Sequence, residues 1–366
     1  MIEPVREEKN LTRIAVFGVG GAGCNAINHM IDAGLSGVEL HAVNTDLQAL
    51  GMSLSPNKVQ IGAQLTGGLG SGGDPKIGKQ AADESIEQLR EAMSGFDMVF
   101  VAAGEGGGTG TGAAPVVAEV AKRNGALVVA VVTRPFQFEG RLREARASRG
   151  IESLRPHVDT LIVLPNERVL CEYGEKPCFE AFRLADDVLL NAVRGISEVV
   201  ITKQLINIDF ADVRAVMSER GGAVMSVGIA SGAGRASEAA HRALQSPLIE
   251  DVMVESARKI LLNISGDDSM TLKEVDEAAK TVFHATNGQA DVRMGAARNR
   301  DLRENMKVTM IATGLSDPLP KVDEVSDLLA EMELFPSIKR TAGKEVRMTI
   351  DKGNLDIPTF IRRQID

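Results

Sequence analysis

The sequence predicts an α/β protein: a doubly wound, mostly parallel domain joined by a long central helix to a second, smaller α/β domain. Three observations carry this prediction. Apolar runs of strand length alternate with helix-length segments from Arg13 to Asn166, the pattern of parallel strands linked by crossover helices. Two of the strand-to-helix turns are rich in glycine, Gly18–Gly23 and Gly104–Gly112. Finally, Pro177 to Gln204 reads as one helix punctuated only by Gly195, with Phe179, Phe182, Leu189, Val193 and Ile196 at near-helical spacing.

Composition bounds what such a fold can do. A chain of 366 residues can bury a large core and suggests two domains or three. The net charge of -9 argues against general affinity for nucleic acid or anionic lipid. It leaves room for a phosphate compensated by backbone N–H groups and a few arginines. Three cysteines without a CxxC pair argue against a disulfide framework, and five histidines without ligand spacing predict no protein-built metal site. Met1–Asn10 lacks the apolar core of a signal peptide, and the longest apolar run, Ala126–Val132, is too short to cross a membrane. A cytosolic protein is expected.

Arg13–Phe17 reads as the first buried strand, running into Gly18–Gly23 and a helix from Cys24 to Asp32. Alone, this turn matches the G-x-G-x-x-G dinucleotide fingerprint, with Glu39 near the position of a ribose-binding acid. Glu39–Val43 is a second strand, ending in Asn44-Thr45-Asp46, where either a ligand or a simple capped turn would use such residues. Lys58–Ile61 is a short strand and Thr66–Gly73 another glycine-rich loop. Asp74 before Pro75 reads as the cap of a helix over Lys76–Met93.

Met98–Ala103 is a buried strand, and Ala113–Ala121 a helix with proline near its first turn. The intervening Gly104-Glu105-Gly106-Gly107-Gly108-Thr109-Gly110-Thr111-Gly112 suits a polyphosphate. Glycines bring backbone N–H groups close to the ligand, the helix start adds free N–H groups and partial positive charge, and threonine hydroxyls add donors. One dinucleotide needs only one such turn, so this second loop counts against a dinucleotide-dependent enzyme. Ala126–Val132 and Leu161–Leu164 are further strands. Glu139 and Arg143, spaced i,i+4, could form a surface ion pair or meet a ligand.

Beyond the central helix, Asp209 and Asp212 share a face, and read alone they cap and favour the start of the next helix. Ala223–Ala230, Ala257–Ile264, Ala290–Met294 and Lys307–Thr313 read as strands, with helices near Ser237–Gln245 and Thr271–Val282. From Ser316 the chain turns polar, with one weak amphipathic stretch over Val325–Met332. It closes on Asn354–Gln364, where Ile357, Phe360 and Ile361 beside Arg362 and Arg363 suggest a docking peptide on a tether.

Several of these segments together resemble the tubulin and FtsZ family of GTPases. They are Gly106–Gly112 with Ala113-Ala114-Pro115, Asn44-Thr45-Asp46, Arg134-Pro135-Phe136, Phe138-Glu139-Gly140, Asn207–Val213 and the terminal Leu355–Arg362. The resemblance covers roughly residues 12–316 and the tail. It implies a flexible extension over 1–11, a GTP-binding domain over 12–176, a connecting helix over 177–204, and an activation loop with C-terminal domain over 205–316. A linker over 317–353 and an adaptor-binding peptide over 354–366 would follow.

The resemblance further implies GTP and GDP as ligands, with Mg²⁺ held mainly by the phosphates and water. Gly20, Gly21 and Gly23 would approach the phosphates, and Gly107, Gly108, Thr109 and Gly110 would hold the β- and γ-phosphates. Thr133, Pro135, Glu139 and Arg143 would border ribose and phosphates. Asn25, Asn166 and Asp187 would read guanine, with Phe182 packed on the base; a carboxylate accepts from the N1–H and the 2-amino group that adenine lacks.

Asp209 and Asp212 lie at the other end of a helix of about 25 residues, roughly 40 Å long, out of reach of their own GTP. They would act, with Asn207 beside them, on the nucleotide of the next subunit in a head-to-tail filament. The family resemblance thus implies a polymerisation-dependent GTPase forming the division ring of bacterial cytokinesis, at midcell beneath the inner membrane. Its partners would be itself and membrane-anchoring adaptors such as FtsA, with no nucleic acid and no membrane insertion. A GTP-binding scaffold with weak or no hydrolysis is the alternative, ahead of a Rossmann-type dinucleotide enzyme. Glu105 departs from the apolar residue usual in this family, and it is expected to point away from phosphate toward a neighbouring subunit or a basic side chain.

Overall fold

Strand β1 (Ile14–Val19) is buried along its whole length, as an apolar run covered on both faces must be. Its side chains alternate between two cores. Ala15, Phe17 and Val19 enter one cluster, Ile14 and Val16 the other. The computed structural model describes residues 12–173, 175–201, 204–246, 254–286 and 288–315.

After β1 come α1 (Gly20–Asp32), β2 (Glu39–Asn44), α2 (Leu47–Met52), β3 (Asn57–Gln60), α3 (Ala63–Thr66), α4 (Pro75–Glu84) and α5 (Ile86–Ala92). The chain continues through β4 (Met98–Gly104), α6 (Thr109–Arg123), β5 (Leu127–Arg134), α7 (Arg141–Leu154), β6 (Thr160–Pro165), α8 (Asn166–Tyr173) and α9 (Cys178–Ile201). The remaining elements are β7 (Gln204–Ile206), α10 (Phe210–Met217), β8 (Gly222–Ser231), α11 (Arg235–Leu244), β9 (Lys259–Gly266), α12 (Leu272–Ala285), β10 (Asp291–Arg298) and β11 (Asn305–Leu315).

The strands join in one sheet of order β3-β2-β1-β4-β5-β6-β8-β11-β9-β10-β7. From β3 to β6 every pairing is parallel. Beyond β8 the sheet is mixed, with β11 antiparallel to both β8 and β9. A single register pair, Ile162 with Ala223, links the two regions. Helix α9 packs on the sheet through Leu189, Val193 and Ile196. Gly195 makes that approach possible, since a Cβ there would lie 2.6 Å from Met225 Cε.

Several boundaries differ from the sequence expectation, among them the central helix expected over 177–204, which ends at Ile201, with Gln204 opening β7. Helix α1 starts at Gly20 instead of Cys24, and α6 starts at Thr109 instead of Ala113, so Pro115 sits inside the second turn. Glycine content suggested loops there, but close packing holds these residues helical: a Cβ on Gly112 would come 2.0 Å from Pro75 O of α4. The helix expected over Lys76–Met93 breaks at Ser85, whose hydroxyl accepts from Gly62 N–H at 3.0 Å. The expected tail features, the linker over 317–353, the stretch over Val325–Met332 and the peptide over 354–366, lie outside the described residues, as does the extension over 1–11.

Candidate functional site

Strand order reverses direction between β1 and β4, so the loops leaving their carboxyl ends diverge and open a crevice between them. Those two loops are the glycine-rich turns. They touch: Gly20, at φ +74°, leaves a space where a Cβ would be 2.7 Å from Gly110 N. The crevice holds a cavity of about 640 Å³.

Most of the predicted ligand residues line that cavity: Gly21, Asn25, Gly107, Gly108, Thr109, Gly110, Thr133, Pro135, Glu139, Arg143 and Asn166. Gly20 and Gly23 lie behind the lining. A Cβ on Gly23 would meet Ala102 O and Gly18 C at 2.6 Å, so its smallness serves the packing of α1 on the strands. Asp187 is half-buried and bonds His29 Nε2 at 2.6 Å through Oδ1. The neighbouring Asp186 lines the cavity. Burial raises the Asp186 carboxyl to about 6, with His29 lowering it and Asp187 raising it. Phe182 lies in α9, and its side chain falls outside the described residues.

Helix α6 points its N-terminus at the cavity, and no side chain caps it, which leaves N–H groups and positive dipole for an anion. Thr109 is positioned by hydroxyl contacts with Thr45 at 2.7 Å and Ser71 at 3.0 Å. Gly108 is required next to it, because a Cβ there would be 2.2 Å from Ser71 Oγ. The third glycine-rich loop, Gly70–Gly73, therefore forms one wall of the cavity, a role its sequence suggested only through glycine content. Glu139 both pairs with Arg143 at 2.8 Å and accepts from Phe136 N–H at 2.9 Å. Asp46 caps α2 by accepting from Gln48 and Ala49 N–H.

Glu39 is at the opposite, amino end of β2, paired with Arg13 at 2.9 Å. It cannot serve as the ribose acid of a dinucleotide fingerprint. Glu105 also departs from expectation. It faces neither the outside nor a basic group, but is 3% exposed with no hydrogen-bond partner on either carboxyl oxygen.

At the far end of α9, Asp209 caps α10 by accepting from Asp212 N–H at 2.7 Å. Asp212 pairs with Arg293 at 3.2 Å. Asn207 and Asp209 are exposed and Asp212 partly so, and none of the three lines the cavity. The last α9 residue on the lining is Leu189, and the helix runs 12 residues further, to Ile201, about 18 Å by helical rise, before the chain reaches these acids.

Residues 13–173 match the model of the Tubulin/FtsZ family GTPase domain, and residues 221–316 match that of the FtsZ family C-terminal domain. Among solved structures, the chain is similar to an empty FtsZ dimer from M. jannaschii at 41% identity and TM-score 0.79, covering 86% of this chain and 96% of that one. A second M. jannaschii FtsZ structure, of a point variant, shares 44% identity at TM-score 0.78, covering 83% and 91%. CetZ2 from Haloferax volcanii, solved as a GTPγS-bound protofilament, shares the fold at 22% identity and TM-score 0.71, covering 87% and 98%. No helix among the described residues is long and apolar enough to cross a membrane.

Proposed function

We propose, on the premise that this chain belongs to the tubulin/FtsZ family of GTPases, that it hydrolyses GTP only as a head-to-tail polymer. The single observation carrying this reading is the separation of two half-sites. The cavity meets α9 in its first half, through Ala185, Asp186 and Leu189, whereas the Asn207, Asp209 and Asp212 cluster follows its far end and lines no part of the cavity. One copy's exposed acids then complete the cavity of the next, a heterologous contact that extends as a filament. The dimeric state of the M. jannaschii FtsZ structure supports this reading.

In the cavity, the N–H groups of Gly107–Gly110 and the start of α6 would hold the β- and γ-phosphates. Thr133, Pro135, Glu139 and Arg143 would border ribose and phosphates. Asn25, Asn166 and Asp187 would read guanine, with Phe182 on the base; Asp187, which His29 holds through Oδ1 beside the lining, would turn toward the ring when nucleotide binds. The acids on the lining fit a Mg²⁺ carried by phosphates and water, since Asp46 is engaged in a helix cap, Glu139 in an ion pair, and burial raises the Asp186 and Glu105 carboxyls. Bound there, Mg²⁺ would neutralise phosphate charge. Asp209 and Asp212 of the neighbouring copy, beside Asn207, would orient and polarise the attacking water.

In the cell this chemistry fits a cytoplasmic polymer that builds the bacterial division ring at midcell. The peptide over 354–366 would tether it to membrane-anchored adaptors such as FtsA. The deciding experiment is GTP turnover and pelleting against protein concentration, for the wild type and Asp212→Ala. Turnover per subunit should rise above a critical concentration, and Asp212→Ala should bind GTP with turnover lowered at least tenfold. Concentration-independent turnover with a fully active Asp212→Ala would sink the composite site. A wild type that polymerises with GTP but never releases phosphate would favour a non-hydrolysing scaffold. Deleting 354–366 should leave turnover intact and abolish adaptor binding.

A further inference from the structure

Glu105 is an acid inside a loop shaped for anions, and its surroundings are built around its carboxyl group. The strand end holds its backbone, with Glu105 N–H donating to Thr133 O at 2.9 Å. Gly106 N–H donates to Thr111 Oγ1 at 2.8 Å, which brings the Thr111 hydroxyl under the side chain. Gly150 of α7 forms the other wall: a Cβ there would lie 2.1 Å from Glu105 Oε2 and 2.4 Å from Thr111 Cγ2. The notch therefore exists because α7 carries glycine at this point. Gly106, at φ +95°, packs in turn on Arg143, where a Cβ would be 2.7 Å from Arg143 Cγ.

The ionisable groups on the elements around the notch do not neutralise a carboxylate in it. Arg143 and Arg146 share the helical face of Gly150 on α7, but Arg143 is paired with Glu139 and Arg146 extends to the Gly70–Gly73 loop, its Nη1 3.9 Å from where a Cβ on Gly73 would lie. Arg134, at the end of β5, is paired with Glu144. The face of α6 around Thr111 offers Ala114, Pro115 and Ala118, none of which titrates. Burial pushes the Glu105 carboxyl up to about 8, against a smaller opposing effect of the Thr111 hydroxyl.

We propose that Glu105 is a proton-operated latch of the phosphate loop, seated in the Gly150–Thr111 notch as a neutral acid when nucleotide binds and expelled from it when ionised. This rests on the reading of the cavity as a nucleotide site. A carboxylate at this point of the loop would add negative charge beside bound phosphates, whereas the neutral acid adds none. Nucleotide binding and retention of the proton then favour each other, by linkage. Glu105 acts through the loop and is a positioning residue.

GDP, which is not turned over, is the probe. Titration calorimetry of the full chain, in buffers of different ionisation enthalpy, reads affinity and proton uptake together. Wild-type affinity should be flat near neutral pH and then fall by up to tenfold per pH unit above about pH 8. Proton uptake should approach one per GDP in that alkaline range. Glu105→Gln should show neither the fall nor the extra uptake, because its amide fills the same notch without titrating. Gly150→Ala, which fills the notch, should weaken binding at every pH and flatten the dependence. Equal pH slopes in wild type and Glu105→Gln, or GDP binding without proton uptake in the alkaline range, would overturn the latch alone. Failure of GDP to bind near pH 7 would overturn the nucleotide reading, and the latch with it.

Discussion

Glu105 and Glu274 show how identical side chains acquire opposite pH behaviour from their surroundings. Buried with no charged partner, Glu105 is raised from 4.5 to about 8. The folded chain then holds a proton that the unfolded chain releases, so its contribution is fully present below about pH 4.5 and lost as pH rises through about 8. The slope is up to about 1.4 kcal/mol per pH unit. Glu274 accepts from Arg235 at 2.7 Å and from Thr271 N–H, and is lowered to about 2, with Arg235 the largest cause. Its contribution is present above about pH 4.5 and lost as pH falls through about 2. Urea unfolding at stepped pH should therefore show stability declining from pH 5 to 8 in the wild type, and a smaller decline in Glu105→Gln. An unchanged slope in the variant would contradict the burial of an unpartnered acid. Gly112 makes the same point sterically. Gly112→Ala forces a Cβ against Pro75 O and should cost about 1–3 kcal/mol, read as a lower denaturation midpoint.

At the scale of elements, α9 and the short helix after it divide two roles that share one residue. Asp209 is the N-cap of α10 and also a proposed catalytic acid. Asparagine caps nearly as well as aspartate but carries no charge to polarise water. Asp209→Asn should keep the unfolding midpoint within about 0.5 kcal/mol of wild type while GTP turnover falls more than tenfold. Asp209→Ala should lose both, with the cap worth about 1 kcal/mol. An Asp209→Asn variant with normal turnover would leave Asp209 a cap and nothing more. The glycine-rich starts of α1 and α6 carry a related lesson. Glycine is a poor helix former, so Gly20–Gly23 and Thr109–Gly112 read as loop, yet both are helical. The close approaches that only glycine permits, Gly23 to Ala102 O and Gly112 to Pro75 O, override local propensity.

For the whole molecule, the proposed composite site predicts complementation between two inactive proteins. Asp212→Ala keeps its cavity but offers the neighbour an impaired acid cluster. A second variant, with Gly108→Ala driving a Cβ into Ser71, should lose GTP while keeping its acids. Mixed in equal amounts, the two should recover a measurable fraction of wild-type turnover wherever the second variant's acids meet the first variant's cavity. Persistent inactivity of a mixture that still co-pellets would argue that both half-sites must come from intact chains.

The amino-acid order by itself determined the alternation of strands and helices, the two phosphate-suited turns and the long helix between two acid- and glycine-bearing ends. Each is written in local pattern: apolar runs of strand length, glycine at turns, near-helical spacing. Tertiary structure alone decided which of those residues face the same space. It put Gly21 in the cavity wall and Gly23 behind it, set Asp186 on the lining while His29 holds Asp187, and paired Glu39 with Arg13 away from the cavity. It also buried Glu105 against a glycine 45 positions later in the chain. The physical reason is that burial and proximity belong to the packed chain, and residues this distant in sequence acquire their charge state only from neighbours that folding supplies.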